Sequence, residues 1–223
     1  MLRQLSVKLD GSASLEWVDL TSPLRDVIPG PRGQLLATLV QLETPVTIRA
    51  LARHADVAPQ TALTVVNDLM AAGLVFTQRA GQAQLVTLNR SHLLAQPLIA
   101  LSRTRVRLIE RLTRELTGWK ELAGAWLFGS AASGGGGRQS DIDILLVAET
   151  STETTAWAEA TARLVDQVLT WTGNHAQLVE HSRGSFALLL RDRNRLVIAV
   201  QGEGIPLTPG SRSLLRQSAP HRP

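Results

Sequence analysis

The spacing of apolar residues predicts three helices in the first third of the chain. Leucine and valine recur at helical spacing over residues 33–42. Thr47 is suited to cap a short helix over 48–55, because its hydroxyl can accept a hydrogen bond from the first turn. Pro59 is suited to begin a longer helix, since proline has no N–H to leave unpaired there, and Gly73 is suited to end it.

Two β-compatible stretches follow these helices. They cover residues 74–78 and 84–88, and the Ala-Gly-Gln sequence at 80–82 predicts a hairpin turn between them. Helix, short helix, turn, longer helix and a two-stranded wing are the layout of a winged helix-turn-helix domain, and residues 31–89 resemble that family over their whole length. Residues 1–30 are interpreted as an N-terminal arm without a readable pattern.

The rest of the chain predicts a second unit over residues 90–210 that mixes helices and strands. A single amphipathic helix is expected over 97–116, with its leucines along one face. Apolar runs at 123–128 and 141–147 predict two buried strands, joined by a small-residue loop over 129–140. The later predicted elements are a helix that Ser151 or Thr152 caps and that runs to about Thr172, a strand over 175–180, a helical stretch over 185–200 broken near Asn194, and a frayed, flexible tail over 211–223.

Composition narrows the class of protein. Hydrophobic residues make up 44% of the chain, which is enough for a buried core. The chain has no cysteine, which excludes disulfides and thiolate metal sites. No apolar run approaches the roughly 20 residues of a membrane span, and the N-terminus lacks the apolar core of an export signal. The expected location is therefore the cytoplasm, with no membrane partner.

The formal net charge is +4, and the basic excess lies in one segment. Residues 1–89 are neutral, whereas residues 90–120 hold seven lysine and arginine residues against two acidic ones. Four arginines of this segment share one face of the predicted helix: Arg103, Arg107, Arg111 and Arg114. They could bind DNA phosphates, bind the phosphates of a nucleotide, or form a solvated face with Glu110 and Glu115 as partners. A solvated face is the commonest arrangement for such runs.

The candidate chemistry lies where the two buried strands of the second unit meet the small-residue loop. Because side chains alternate along a strand, Asp141 and Asp143 share one face, while Ile142 points into the core. Two carboxylates at a strand end suit Mg²⁺, which takes one or two carboxylates together with phosphate oxygens. Gly129 allows the backbone to approach a phosphate, and the Ser130 hydroxyl can donate a hydrogen bond to it.

Residues 126–147, WLFGSAASGGGGRQSDIDILLV, resemble the polymerase-beta-type nucleotidyltransferase superfamily, and most closely its small bacterial branch. The resemblance implies that Asp141 and Asp143 are catalytic residues that bind Mg²⁺ or Mn²⁺. It also implies that Gly129, Ser130 and Ser140 bind a nucleoside triphosphate. The expected fold class is α+β: an N-terminal winged helix-turn-helix, and a C-terminal nucleotidyltransferase-like mixed sheet flanked by helices.

Two departures from the family pattern bear on catalysis. The arginine expected before Gly134 is Ser133 in this chain, which removes one phosphate partner. Active members carry a third carboxylate on the next core strand, and the best candidate position here is Gln177, which supplies neither charge nor proton. Glu180 is the nearest alternative carboxylate, but it faces the opposite side of a strand from Gln177. His175 shares the Gln177 face and could serve as a base.

The winged helix supplies candidate DNA-binding residues. In a helix-turn-helix the second helix enters the major groove, and side chains at its N-terminal end contact base edges. The exposed face of the helix after Pro59 would present Gln60, Thr61, Thr64 and Asn67 to the groove. Phosphates could be held by Arg49, Arg53, His54 and Arg79. Since this half is neutral, tight binding would need a homodimer or the basic middle segment; the alternative is a winged helix used for protein contacts.

These expectations give one leading hypothesis and two alternatives. The leading hypothesis is a DNA-binding transcriptional regulator whose second unit binds a Mg²⁺-nucleotide that tunes DNA binding. The first alternative is an active enzyme that transfers a nucleotidyl group to a protein, RNA or small molecule, with the winged helix docking the acceptor. An antitoxin role is a further alternative, which rests on the resemblance alone.

Overall fold

The computed structural model describes residues 19–134 and 141–216. Helices and a small sheet alternate over the first part of the chain. In chain order, the elements are α1 (Pro23–Val27), α2 (Pro31–Leu39), β1 (Val46–Thr47), α3 (Ile48–Ala55), α4 (Pro59–Ala71), β2 (Val75–Ala80), β3 (Ala83–Leu88) and α5 (Ala95–Ser102).

Local sequence signals set the boundaries of α3, α4 and the hairpin. The Thr47 hydroxyl accepts a hydrogen bond from the backbone N–H of Ala50 at 3.1 Å and caps α3. Pro59 occupies the first turn of α4, and Gly73, with a φ of +72°, follows its end. β2 and β3 pair antiparallel, and β1 joins the other edge of β3. The predicted winged helix-turn-helix layout is therefore confirmed.

The first part of the chain has its own hydrophobic core. Leu35 and Leu39 of α2, Leu51 of α3 and Val66 of α4 are buried there, together with the inner residues of the wing. Helix α5 adds Ala95 and Ile99 to this core, although this stretch is expected in the second unit from its sequence.

The second part of the chain is a mixed sheet flanked by helices. In chain order, its elements are α6 (Thr104–Thr117), β4 (Leu122–Phe128), α7 (Gly129–Ser133), β5 (Ile142–Ala148), α8 (Thr155–Thr172), β6 (Ala176–Ser182), α9 (Arg183–Arg191), α10 (Arg195–Glu203), β7 (Ile205–Pro206) and α11 (Pro209–Arg216). The strand order is β6-β5-β4-β7, in which β5 and β6 are parallel and the other pairs are antiparallel. The expected α+β fold is therefore the observed one.

Both faces of this sheet are covered. Ile142, Ile144 and Leu146 of β5 lie in a core with residues of α6 and α8. The alternate residues Leu145 and Val147 lie in a core with residues of α9, α10 and α11. Asp143 belongs by this alternation to the second face, at the end of the sheet where β4 finishes and β5 begins.

The prediction of a single helix over 97–116 is wrong, because the chain forms α5 and α6 with a break at Arg103. Arg103 has non-helical φ and ψ of −97° and 14°. On either side, the hydroxyls of Ser102 and Thr104 donate to backbone carbonyls three residues earlier, which competes with continuous helix bonding. The break lets the leucines of α6 pack against the sheet while α5 packs in the first core.

Three smaller expectations are also corrected. The cap of α8 is Thr154, whose hydroxyl accepts from the Trp157 backbone N–H at 3.2 Å, instead of Ser151 or Thr152. Residues 129–133, expected to be loop, are helical. Residues 211–216 belong to α11 instead of a frayed tail, because the buried Ser211 hydroxyl donates to the Ala125 carbonyl at 2.7 Å. The predicted break near Asn194 is confirmed, since Asn194 caps α10.

Among the described residues, no helix has the length and apolar character needed to cross a membrane.

Candidate functional site

The two aspartates lie together at one end of the central strand of the second unit. Asp141 immediately precedes β5, and Asp143 is its second residue. Both side chains are half-buried. Within residues 19–134 and 141–216, no group donates a hydrogen bond to either carboxylate, so their oxygens are available to a ligand. The sequence prediction that the two carboxylates share a site is consistent with this placement.

Gly129 brings the turn after β4 against Asp143. Its φ is +67°, in the left-handed region that favours glycine. A Cβ at this position would overlap the Asp143 carboxylate, so a larger residue could not occupy it without displacing that group. Ser130 follows in the first turn of α7, half-buried beside the same carboxylate-bearing strand end. Ser140, the third predicted nucleotide-binding residue, lies outside the described residues.

The proximity of the two aspartates affects the pKa of Asp143. The pKa of Asp143 is raised from its ordinary value, first because burial disfavours the charged form and second because Asp141 is a nearby like charge. A divalent cation would relieve both effects, since it favours the ionised carboxylates. Two close, half-buried carboxylates are an arrangement that a divalent cation can bind.

Gln177 lies beside this pair on the neighbouring strand. In the parallel register of β5 and β6, Asp143 is opposite Gln177, and in the antiparallel register of β4 and β5 it is opposite Phe128. Gln177 is exposed. Gln177 was predicted at the position where active family members carry a third carboxylate. It is therefore adjacent to Asp143, and its side chain is an amide.

Glu180, the alternative acid identified from the sequence, does not lie on the Asp143 face of the sheet. Glu180 lies on the other face of β6, where its carboxylate accepts a hydrogen bond from the indole N–H of Trp157 in α8. His175 precedes β6, and its backbone carbonyl accepts from the Ile142 N–H at 2.8 Å. In the described part of the chain, no group of three or more histidine, cysteine, aspartate or glutamate residues could hold a metal ion.

Arg105 contacts this site, although no sequence motif points to it. Its Nε donates to the Ala131 carbonyl at 2.7 Å, and its Nη2 donates to the Ala132 carbonyl. A signal was present, because Arg105 precedes Leu108 by three residues and Leu112 by seven, which places it on the apolar face of α6. An arginine at such a position needs a specific partner.

Within the described ranges, the four-arginine face forms no ion pair with Glu110 or Glu115. Glu115 instead accepts a hydrogen bond from Gln167 at 3.1 Å. The Arg111 guanidinium lies over the Trp171 ring, 4.4 Å from its centroid. The other three arginines are exposed, and they make no ion pair with any described residue: Arg103, Arg107 and Arg114.

The predicted DNA-contacting residues of α4 lie at an open surface. Gln60, Thr64 and Asn67 are exposed, and Thr61 is half-buried. The Thr64 hydroxyl donates to the Gln60 carbonyl at 3.1 Å. Val66, Ala62 and Leu69 on the opposite face are buried.

A cleft of about 650 Å³ separates the start of α4 from the wing. Arg49 and Gln60 line one side, and Gln82 and Gln84 of the hairpin line the other. Arg79 is opposite Gln84 in the strand register, so it lies on the wing beside the cleft. Arg53 is exposed on α3, and within the described ranges none of the three predicted phosphate-binding arginines, Arg49, Arg53 and Arg79, forms an ion pair.

Residues 107–183 match the family model of the nucleotidyltransferase domain. The match begins in α6 and ends at the start of α9, so it contains both aspartates, α7 and Gln177. It covers about a third of the chain and agrees with the resemblance carried by residues 126–147. No curated protein matches the chain.

Three solved structures resemble parts of the chain. The toxin-antitoxin MntA-HpeT mutant is 21% identical with a TM-score of 0.35, covering 50% of this chain and 82% of that one. A MarR family protein of Mycobacterium tuberculosis is 30% identical with a TM-score of 0.28, covering 44% and 72%. Human N-acetylserotonin methyltransferase is 14% identical with a TM-score of 0.26, covering 45% and 30%. TM-scores this low do not establish a shared fold, so the fold is assigned from the topology of this chain.

Proposed function

We propose that this protein is a DNA-binding regulator whose second unit binds a Mg²⁺-nucleoside triphosphate, and that the bound nucleotide tunes DNA binding. The observation that carries this choice is the register of β5 and β6. It places Gln177 beside Asp143, where an active enzyme of the resembled family has a third carboxylate. On this proposal, Asp141, Asp143, Gly129 and Ser130 hold the nucleotide, whereas Gln177 offers no charge and no proton acceptor for its transfer.

Asp141 and Asp143 would hold Mg²⁺, and the residues present fit that ion. They offer two carboxylates without hydrogen-bond donors among the described residues, which matches a Mg²⁺ that takes its other ligands from phosphates and water. When bound, Mg²⁺ supplies charge neutralisation and orientation of the triphosphate. With only two carboxylates, the ion is expected to bind together with the nucleotide instead of alone.

Gly129 and Ser130 would bind the phosphates. The left-handed backbone at Gly129 brings the chain close to Asp143 without a side chain in between. Backbone N–H groups and the Ser130 hydroxyl can then donate to phosphate oxygens beside the metal. Ser140 is also proposed to bind the nucleotide, because the family resemblance includes it.

The winged helix would bind DNA through α4 and the wing. Gln60 and Asn67 have side-chain amides that can pair with adenine, and they are exposed along one helix. Arg49 and Arg79, on either side of the cleft, would contact phosphates. A homodimer, the usual state of winged-helix regulators, would double this charge.

Isothermal titration calorimetry with ATP, GTP, CTP and UTP, each with Mg²⁺, tests the nucleotide site. Asp141→Ala and Asp143→Ala are expected to weaken binding by at least about tenfold, because each removes a metal ligand. Asp166→Ala is the matched control, since that exposed aspartate lies on α8. Absence of binding by the unsubstituted protein to all four nucleotides would refute the proposal.

A salt series with a labelled DNA duplex from upstream of the protein's own coding sequence tests the winged helix. Arg79→Gln should reduce the slope of log affinity against log salt by about 1. Arg163→Gln, an exposed arginine of α8, should leave it unchanged. Binding that does not depend on salt, or no binding at low salt, would contradict a regulator.

An active nucleotidyltransferase is the second candidate, and the family match over residues 107–183 with both aspartates present favours it. Its acceptor would be a protein, RNA or small molecule. Incorporation of label from an α-phosphate-labelled nucleotide into any acceptor, lost in Asp143→Ala, would support this candidate over the binding-only regulator.

A further inference from the structure

Arg105 lies at the junction between the two parts of the chain. It is the second residue of α6, two residues after the break at Arg103. Before the break, α5 packs in the core of the winged helix through Ala95 and Ile99. After it, α6 packs against the sheet of the second unit. Any movement of α6 relative to α5 therefore moves Arg105.

The partners of Arg105 belong to the nucleotide-binding turn. Its guanidinium donates to the carbonyls of Ala131 and Ala132, which are buried residues of α7. Helix α7 begins at Gly129 and Ser130, so the residues that would bind phosphate are the first turn of the helix whose end Arg105 holds. A cation at a helix C-terminus satisfies carbonyls that have no partner within the helix.

The charge of Arg105 is not neutralised by any acid in the described ranges, since it forms no ion pair there. Its Nη1 also lies beside Gly134, where it is the atom nearest to the space that a Cβ would occupy. The resembled family carries an arginine directly before this glycine, and here that residue is Ser133. Among the described residues, Arg105 of α6 therefore supplies a positive charge at this end of the turn.

Through these contacts, the first turn of α6 is bonded to α7, which contains Gly129 and Ser130. Helix α6 directly follows α5, which packs in the core of the winged helix. We propose that Arg105 is a positioning residue that couples nucleotide binding at Gly129 and Ser130 to DNA binding by the winged helix. This inference rests on the proposed function, and it adds the residue through which the two sites communicate. A nucleotide that shifts α7 changes the hydrogen bonds of Arg105 to Ala131 and Ala132. Because Arg105 lies in the first turn of α6, this change moves the start of α6 relative to α5.

The test compares the full chain with Arg105→Gln, Arg105→Lys and Arg107→Gln. For each protein, affinity for the labelled upstream duplex is measured without nucleotide and with saturating Mg²⁺-nucleotide, using the tightest binder of the four triphosphates. Nucleotide affinity is measured separately, so that saturation is reached in every case. Arg107 is the matched control, because it is exposed on the same turn of α6.

The unsubstituted protein is expected to change its DNA affinity by at least about fivefold on binding nucleotide. Arg105→Gln should abolish that change while keeping its DNA affinity without nucleotide, a result that general loss of structure would not produce. Arg107→Gln should respond as the unsubstituted protein does. Lysine keeps the charge but not the two-pronged geometry, so Arg105→Lys should respond by less than half as much.

An Arg105→Gln response equal to that of the unsubstituted protein would refute the inference and leave the proposed function intact. If circular dichroism shows that Arg105→Gln does not fold, Arg105→Lys decides the question by the same criterion. Failure of the unsubstituted protein to bind nucleotide or DNA would refute the proposed function, and this inference with it.

Discussion

Asp143 and Gln177 are neighbours across the parallel strands β5 and β6. One is an acid whose pKa is raised by burial and by the nearby Asp141, and the other is an exposed amide. Adjacent positions on parallel strands point to the same face of a sheet. A carboxylate in place of the Gln177 amide would form a group of three acids with Asp141 and Asp143.

A glutamate at position 177 should create a site that binds a divalent metal ion without nucleotide. In Gln177→Glu, a third carboxylate lies beside Asp143, and three hard oxygen ligands suit Mn²⁺ or Mg²⁺. Mn²⁺ affinity, measured by electron paramagnetic resonance, is expected to rise by at least about tenfold. Gln201→Glu makes the same charge change at an exposed position of α10 and should have no effect. Equal Mn²⁺ affinity in both variants would contradict this account of the site.

Gly129→Ala should disable the nucleotide site through its side chain. The new Cβ would meet the Asp143 carboxylate, and the left-handed backbone adds about 1–2 kcal/mol of strain. Gly173→Ala is the control, because Gly173 has a φ of +76° and no atom close to where a Cβ would lie. Both variants should lose stability in urea unfolding, but only Gly129→Ala should lose nucleotide binding in calorimetry. Normal binding by Gly129→Ala would show that the turn does not contact the nucleotide.

Arg111→Ala should lower the free energy of unfolding by about 0.5–1 kcal/mol, because it removes the stacking on Trp171. Arg107→Ala, on the same helix and without an ion pair to any described residue, should change it by less than about 0.5 kcal/mol. Chemical denaturation followed by tryptophan fluorescence measures both. Similar losses in the two variants would mean that the cation–π contact contributes nothing distinctive.

His181 should make the protein less stable in mild acid. Burial lowers the pKa of His181, whose ring lies 3.3 Å from the Ser185 hydroxyl. The unfolded chain therefore takes up this proton first as pH falls, so stability is complete above the ordinary histidine pKa and is lost as pH falls through it toward the lowered pKa. His181→Gln should flatten the acid side of a plot of melting temperature against pH, whereas the exposed His54→Gln should not. Parallel curves for all three proteins would be evidence against this assignment.

The features that could be predicted from the sequence depend on residues close together in the chain. The Thr47 cap, the proline start of α4 and the common face of Asp141 and Asp143 follow from helical and strand geometry over a few residues. The position of Gln177 was expected from the family resemblance, and the strand register places it beside Asp143.

The features that were missed depend on partners far away in the sequence. Arg105 contacts carbonyls more than 20 residues later, and nothing local indicates which carbonyls an arginine will meet. Ser211 bonds to the Ala125 backbone, 86 residues earlier, and that contact makes a helix of an apparently polar tail. The break at Arg103 likewise reflects the assignment of α5 and α6 to different cores, which periodicity alone does not reveal.

The separate core of the winged helix has a consequence for how this protein denatures. Units with separate cores open at different temperatures unless their interface is extensive. Calorimetry should then give overlapping transitions, and no single enthalpy would describe them. Thr47→Ala should shift the transition of the first unit, and Gly129→Ala that of the second. DNA should raise the transition temperature of the first unit, and nucleotide should raise that of the second.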